Sequence, residues 1–321
     1  MCSSSRSPRR IRLGGCSKRA QATALSAVQR PEAAPAARTL LDVVRLSTAY
    51  LTEHGSASPR LDAELLSAHA LQLRRLDLYL QFDRLLDGAE LSAIRELIRR
   101  RGQGEPVAYI TGERGFYGRV FEVSPAVLVP RPETETLVER ALKRIRSTGD
   151  PAAMRVADLG TGSGCIAVTL AAECPGLQVT ATDASSAALA VARHNAARHE
   201  VGECVAFVAT SWADDLVGAV DLVVSNPPYV TSAELAGADR DVRDHEPAAA
   251  LDGGVDGLDA YRALLRSIGE RVDRGSSVLL EVDPRRAGAV ADLLAQAFTG
   301  ATCTTIPDLA GHARVIEAIV Q

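Results

Sequence analysis

The six cysteines of this chain, Cys2, Cys16, Cys165, Cys174, Cys204 and Cys303, contain no C-x-x-C pair and share no regular spacing. Neither a zinc site nor a disulfide framework organises such a chain, and free thiols in a reducing compartment are the expectation. No stretch approaches the roughly eighteen uninterrupted apolar residues of a membrane span, and the N-terminus lacks the apolar core of a secretory signal. No membrane partner is expected, and a cytoplasmic location follows. A positive excess is missing as well: the net charge is −4 and the pI near 5.9. That argues against a protein that grips nucleic acid mainly through phosphates.

What is present is a soluble globular composition over 321 residues, 46% hydrophobic and 24% charged, enough for one large domain or two ordinary ones. Residues 1–31 carry Arg6, Arg9, Arg10, Arg12, Lys18, Arg19 and Arg30 with no acid and many serines. Residues 1–38 are read as a disordered basic leader, with organellar import as the alternative to a cytoplasmic location if the leader is a transit peptide.

Helical periodicity marks residues 39–102. Leu40, Leu41, Val44, Leu46, Ala49 and Leu51 form one face, ending at His54-Gly55. Ser58-Pro59-Arg60-Leu61-Asp62 reads as an N-cap, a proline at the first position and an acidic first turn. Leu61, Leu65, Leu66, His69 and Leu71 then define the expected buried face, with His69 as a core histidine. Further helices are expected over about 75–82 and 89–101, the last ending in a solvated run, Arg99-Arg100-Arg101. Residues 103–130 alternate apolar side chains with Gly112, Gly115 and Gly118, which predicts a β-hairpin linker.

The remainder, 131–321, alternates strands and helices, which implies a doubly wound parallel sheet with a closing antiparallel pair at 302–306 and 313–320, seven strands in outline. The strand Arg155 to Leu159 runs into Gly160-Thr161-Gly162-Ser163-Gly164 and a helix. Glycines there let the backbone approach a ligand at the positive helix end. Cys165 stands where a dinucleotide fingerprint places its third glycine. Asp183 ends the next strand about twenty residues on, placed to accept from ribose hydroxyls. An adenosine ligand without a pyrophosphate fits both features. Trp212, the single tryptophan, follows the third strand and either covers the adenine or packs in the core.

Asn226-Pro227-Pro228-Tyr229 closes the apolar strand Val220 to Ser225. Two prolines fix its backbone and remove donors, leaving carbonyl oxygens free. Taken together with Asp158 to Gly164 and Asp183, it resembles the class I S-adenosylmethionine-dependent methyltransferases, and the tetrapeptide implies methylation of a planar nitrogen. Such a nitrogen has its lone pair delocalised, so the protein must direct it. The Asn226 side-chain oxygen and the Pro227 carbonyl can take both N–H groups while Tyr229 packs on the planar face.

Adenine N6 and glutamine amide nitrogen share that geometry, and the tetrapeptide does not separate them. The wider chain resembles the HemK/PrmC family of release factor glutamine methyltransferases. The residues that carry this are 58–66, Gly104 to Gly112, Val129-Pro130-Arg131-Pro132-Glu133-Thr134-Glu135, His245-Glu246-Pro247 and Leu251-Asp252-Gly253-Gly254. The resemblance implies S-adenosyl-L-methionine as cofactor, held by Gly160, Thr161, Gly162, Ser163, Gly164, Asp183, Trp212 and Asn226. It implies catalysis by Asn226, Pro227, Pro228 and Tyr229, no metal, and N5-methylation of the glutamine in the Gly-Gly-Gln motif of peptide chain release factors. The helical domain would grip the release factor, with no direct nucleic-acid partner. An N6-adenine methyltransferase and a non-catalytic binding module are the alternatives. Three positions depart from the family pattern: Ser211 replaces an acid before Trp212, Glu281 is followed by Val282-Asp283-Pro284 rather than x-G-x, and Gly311-His312-Ala313-Arg314 replaces G-x-D-R.

Overall fold

The computed structural model describes residues 38–321; the leader expected over 1–38 lies, but for its last residue, outside them. Five helices come first: α1 (Leu40–Glu53), α2 (Pro59–Ala70), α3 (Arg75–Tyr79), α4 (Gly88–Gly102) and α5 (Val107–Thr111). Thr39 and Asp87 each close a reciprocal capping box, with Asp42 and Glu90, at the starts of α1 and α4. Ser58 makes no side-chain cap; instead the Ser56 hydroxyl donates to Asp62 at 2.8 Å and accepts from the Ser58 N–H. Leu40, Val44, Leu51, Leu66, Leu78, Ile94 and Ile98 form the core of this bundle.

The face that α2 buries differs from the apolar face expected. Leu61 and His69 are exposed, and Asp62, Ala63, Glu64, Leu66 and Ser67 are buried. Charge pairing accounts for the rotation. Glu64 accepts from Arg60, Arg75 and the Tyr79 hydroxyl at 2.8–2.9 Å, and Asp62 accepts from Arg101 at 2.7 Å. Arg101 is therefore a buried partner, and not part of a solvated run. Burial acts to raise the Glu64 pKa, but the bonds from Arg60, Arg75 and Tyr79 outweigh it and hold it below the ordinary value. A depressed carboxylate contributes stability above its unfolded pKa, and that stability is lost as pH falls through the folded value. Glu64→Ala is expected to destabilise the fold by about 1–3 kcal/mol at neutral pH, since it leaves Arg75 and Tyr79 without their acceptor. Urea unfolding at pH 7 and again below about pH 4 checks this: the difference between wild type and variant should shrink in acid.

The linker is also different from its expectation. Only β1 (Glu113–Phe116) and β2 (Arg119–Glu122) form a hairpin, while Val107–Thr111 is helical. The alternation there reflects two burial environments. Ile110 enters the helical core, Tyr109 packs with Val127 and Val129, and its hydroxyl donates to the Val127 carbonyl at 2.6 Å.

The rest follows as α6 (Thr134–Arg146), β3 (Arg155–Leu159), α7 (Cys165–Glu173), β4 (Gln178–Asp183), α8 (Ser186–Arg198), β5 (Val205–Ala209), β6 (Val220–Ser225), α9 (Ser232–Ala236), α10 (Arg240–His245), α11 (Asp259–Ile268), β7 (Val272–Glu281), α12 (Ala287–Ala297), β8 (Thr302–Pro307) and β9 (Ala313–Ile319). The short helices α9 and α10 were not foreseen from periodicity. The sheet order is β5-β4-β3-β6-β7-β9-β8, seven strands with β9 antiparallel to β7 and β8. Its two faces carry separate cores, one with α6 and α7, the other with α11 and α12.

One consequence of the order matters most. The chain runs outward from β3 through β4 to β5, then returns to place β6 on the other side of β3, pairing Asp158 with Val224. The loops leaving β3 and β6 therefore diverge to opposite faces and open a crevice at the carboxyl edge, where doubly wound sheets bind ligands. Gly160 to Gly164 and Asn226 to Tyr229 meet there.

Candidate active site

Asp158, fully buried near the end of β3, fastens the glycine loop to α7. It accepts from the Thr161 hydroxyl at 2.7 Å and the Ala167 N–H at 3.1 Å. Burial pushes its pKa up to about 7 against the pull of those two bonds, with the Asp183 charge adding to the rise. The Gly160 and Thr161 N–H groups both donate to the Thr182 carbonyl, which seats the loop on β4. Gly162 has φ +56°, a left-handed conformation natural to glycine, and its N–H donates to Asp183 at 2.9 Å. The other Asp183 oxygen accepts from the Ser185 N–H at 2.8 Å. Two backbone donors thus set the carboxylate's orientation beside the loop.

Trp212 adopts φ +51°, a costly conformation for a bulky residue. The Thr182 hydroxyl holds it there by donating to the Trp212 carbonyl at 2.7 Å. The indole is partly buried against the core and also forms part of the cavity wall. Ser211, the departure from the family pattern, lines the cavity beside it.

The opposite wall comes from two segments that sequence reasoning did not assign to the site, Ala126 to Thr134 and Pro247 to Ala250. Glu246, almost fully buried, joins them: it accepts from the Val129 N–H at 3.2 Å and from Arg131 at 2.5 Å. The sequence reading placed residues 126–130 in the hairpin linker and gave 248–250 no role, because no periodicity distinguishes a strap that folds over a cavity from an ordinary loop.

Eight of the residues singled out from sequence, Gly160, Thr161, Gly162, Ser163, Asp183, Trp212, Asn226 and Pro228, line a single cavity of about 330 Å³. Gly164, Pro227 and Tyr229 do not. Gly164 sits at the N-cap of α7, Pro227 is buried, and Tyr229 packs against the core formed with α11 and α12. Burial, with the Glu281 charge adding to it, pushes the Tyr229 phenol up to about 12, so it stays neutral. Part of the Tyr229 ring thus packs on the protein's own core. The Pro228 carbonyl lies so close to Gly253 that a Cβ there would stand 2.8 Å from its oxygen. The glycine loop 251–257 is thus the bed on which the tetrapeptide rests, a second feature that motif reading left without a role.

Asn226 is half-buried, and its Nδ2 donates to the Thr134 hydroxyl oxygen at 3.2 Å. Its Oδ1 remains available as an acceptor at the cavity. Among the described residues no cluster of three or more His, Cys, Asp or Glu is arranged to hold a metal ion. The donor set is one carboxylate, backbone N–H groups, an indole wall and an amide oxygen. It suits a neutral or cationic adenosine-bearing ligand.

Residues 42–112 match the family described as the PrmC N-terminal domain, and residues 134–240 match the Methyltransferase small domain. Over 244 residues the chain is 47% identical to the release factor glutamine methyltransferase of Nitratidesulfovibrio vulgaris, covering 75% of this chain and 81% of that protein. It is 44% identical over 283 residues to the release factor glutamine methyltransferase of Bradyrhizobium diazoefficiens, covering 88% and 93% of the two chains. A solved 16S rRNA methyltransferase of T. thermophilus, in complex with AdoMet and guanosine, aligns with a TM-score of 0.48 and 18% identity, over 65% of this chain and 50% of that one.

Proposed function

Because this chain belongs to the release factor glutamine methyltransferases, we propose that its cavity transfers the methyl group of S-adenosylmethionine to the side-chain nitrogen of a release factor glutamine, the one in the Gly-Gly-Gln motif. The observation that carries this reading is the placement of the Asn226 amide, tied back to Thr134, in the same cavity as the glycine loop and Asp183. When bound, S-adenosylmethionine supplies an electrophilic methyl on a cationic sulfur.

The chain's own residues do the rest. Asp183 accepts from ribose hydroxyls, Gly160 to Ser163 let the backbone approach, and Trp212 flanks the adenine where Ser211 offers a hydroxyl in place of an acid. Asn226 Oδ1 takes one N–H group of the glutamine amide, and the main-chain carbonyl of Pro227, a buried residue outside the cavity lining, is the second acceptor this reading requires. Holding both aligns the nitrogen lone pair and offsets the positive charge that develops on it. The proton then lost from the methylated, cationic nitrogen is acidic enough to pass to water without an ionised base. Pro228 and Tyr229 keep the acceptors rigid, and the glycine bed at Gly253 holds the tetrapeptide from beneath.

The helical domain, 39–102 extended by α5, is read as the surface that takes the release factor body, joined by the hairpin to the methyltransferase domain. Arg101 fastens the two regions, since it reaches Asp241 of α10 at 3.4 Å as well as Asp62. No helix among the described residues is long and apolar enough to cross a membrane.

The test is methyl transfer from labelled S-adenosylmethionine to a purified release factor, with mass mapping of the product. One added methyl on the Gly-Gly-Gln glutamine is expected. Label entering DNA or ribosomal RNA instead would replace this reading with adenine methylation, and cofactor binding without turnover on either would leave a binding module.

A further inference from the structure

Three elements converge behind the Asn226 amide. Thr134 opens α6, Asn226 follows β6, and Glu281 ends β7, whose register sets Leu280 opposite Ser225. Asn226 and Glu281 are thus successive to a paired position on neighbouring strands. Thr134 is 2% exposed and Glu281 fully buried. Neither Glu281 carboxylate oxygen meets a well-aligned donor. Among the nearby groups, the Tyr261 hydroxyl donates to the Glu281 main-chain carbonyl at 2.7 Å and Arg131 pairs with Glu246, while Arg314 pairs with Asp308 through a terminal nitrogen and keeps a buried Nε without a partner. Of the groups that pull the Glu281 carboxyl down, the Thr134 hydroxyl comes first, ahead of Arg314 and Arg131.

We propose that Glu281 and Thr134 are a buried positioning pair that dictates which end of the Asn226 amide meets the substrate. A threonine hydroxyl has one proton and can either give or take a hydrogen bond with an amide, whose two ends have nearly the same shape. If that proton goes to Glu281, the Thr134 oxygen is left only as an acceptor. Asn226 must then turn its NH₂ inward, as observed, and present Oδ1 to the glutamine N–H. Without an acceptor behind Thr134 the hydroxyl can donate to Asn226 Oδ1, and the amide would face the substrate with the wrong end. The inference rests on the proposed role of Asn226 as acceptor, and adds what enforces it.

The protonation state of Glu281 makes the pair testable. Burial pushes its carboxyl up to about 7, against the pull of Thr134, Arg314 and Arg131 and with Glu133 adding to the rise. Tyr229, Tyr261 and Cys165 also feel its charge. Below that value the acid gains its own proton, can donate to Thr134, and stops enforcing the orientation. A glutamine amide does not titrate in this range, so turnover at saturating substrates should fall as pH drops through about 7 for this reason.

Glu281→Gln removes the titration while keeping size, and Thr134→Val removes the hydroxyl. With S-adenosylmethionine and a release factor, each is expected to lower kcat about 10–100-fold at about pH 8, with KM for the release factor and Kd for S-adenosylhomocysteine changed less than about threefold. Thr134→Ser should stay within about threefold of wild type, and the fall in kcat between about pH 8 and pH 6 should be absent in Glu281→Gln. Wild-type turnover with an undiminished kcat in Thr134→Val, or with the acid limb retained in Glu281→Gln, would overturn the pair alone. No methylation of the release factor by wild type would overturn the reading beneath it.

Discussion

Asn226→Ala is expected to reduce kcat for release factor methylation by about 10²–10³-fold, the scale seen when one oriented dipole is removed from a developing charge. The amide oxygen is one of only two acceptors assigned to the substrate nitrogen, and the nitrogen's lone pair is delocalised unless both N–H bonds are held. Loss of the side chain leaves Pro227 alone, and an amide gripped at one point rotates about it. The fold should survive, since Asn226 is half-buried and gives up a single 3.2 Å bond to Thr134. Single-turnover kinetics beside a thermal melt decides it. Unchanged turnover would remove Asn226 from the reaction, whereas a collapsed melt would assign it to the fold.

Asp183→Ala should act on the other substrate. Its carboxylate is expected to accept from the ribose hydroxyls, and charge-assisted bonds of this kind are worth about 1.5–3 kcal/mol each. Its loss also frees the Gly162 and Ser185 N–H groups that it holds at 2.9 and 2.8 Å, loosening the loop under the ligand. A rise of about 100-fold in Kd for S-adenosylhomocysteine is expected, about 2.7 kcal/mol. kcat at saturating cofactor should change far less. Titration calorimetry reads the first and steady-state assays the second. Asp183→Asn keeps an acceptor and should lie between. An unchanged Kd would show that the cavity holds its ligand without this carboxylate.

Much of this site was legible because its chemistry is local. A loop that must approach a ligand needs Gly162 at positive φ, and a strand-end acid needs only to follow β4. Both are consequences of neighbouring residues, and both stand in the cavity as expected. Trp212 was legible by position but not by role, because its left-handed backbone is imposed by Thr182, thirty residues away.

Misreadings arose where local pattern and tertiary pairing disagree. In α2 the leucines predicted the buried face, yet Asp62 and Glu64 are buried and Leu61 is not. The desolvation cost of those carboxylates is offset by Arg60, one turn away in α2, and by Arg75, Tyr79 and Arg101, which only the folded bundle brings within 2.9 Å. Tyr229 illustrates the converse. Its motif suggests contact with a substrate, and the structure also packs part of the ring against the core that α11 and β7 build.

By itself the sequence determined the alternation of strands and helices, the glycine loop, the strand-end acid and the acceptor tetrapeptide, since each depends on backbone periodicity or on conformational limits set by adjacent residues. Only the tertiary structure decided that β6 returns beside β3, so that loop and tetrapeptide share one crevice. It alone brought Arg131 against Glu246, 115 positions apart, to close the cavity wall, and set Thr134 and Glu281 behind Asn226. The physical reason is that a buried charge or an oriented amide is stable only with a partner, and the partner is chosen by sheet order rather than by chain neighbours.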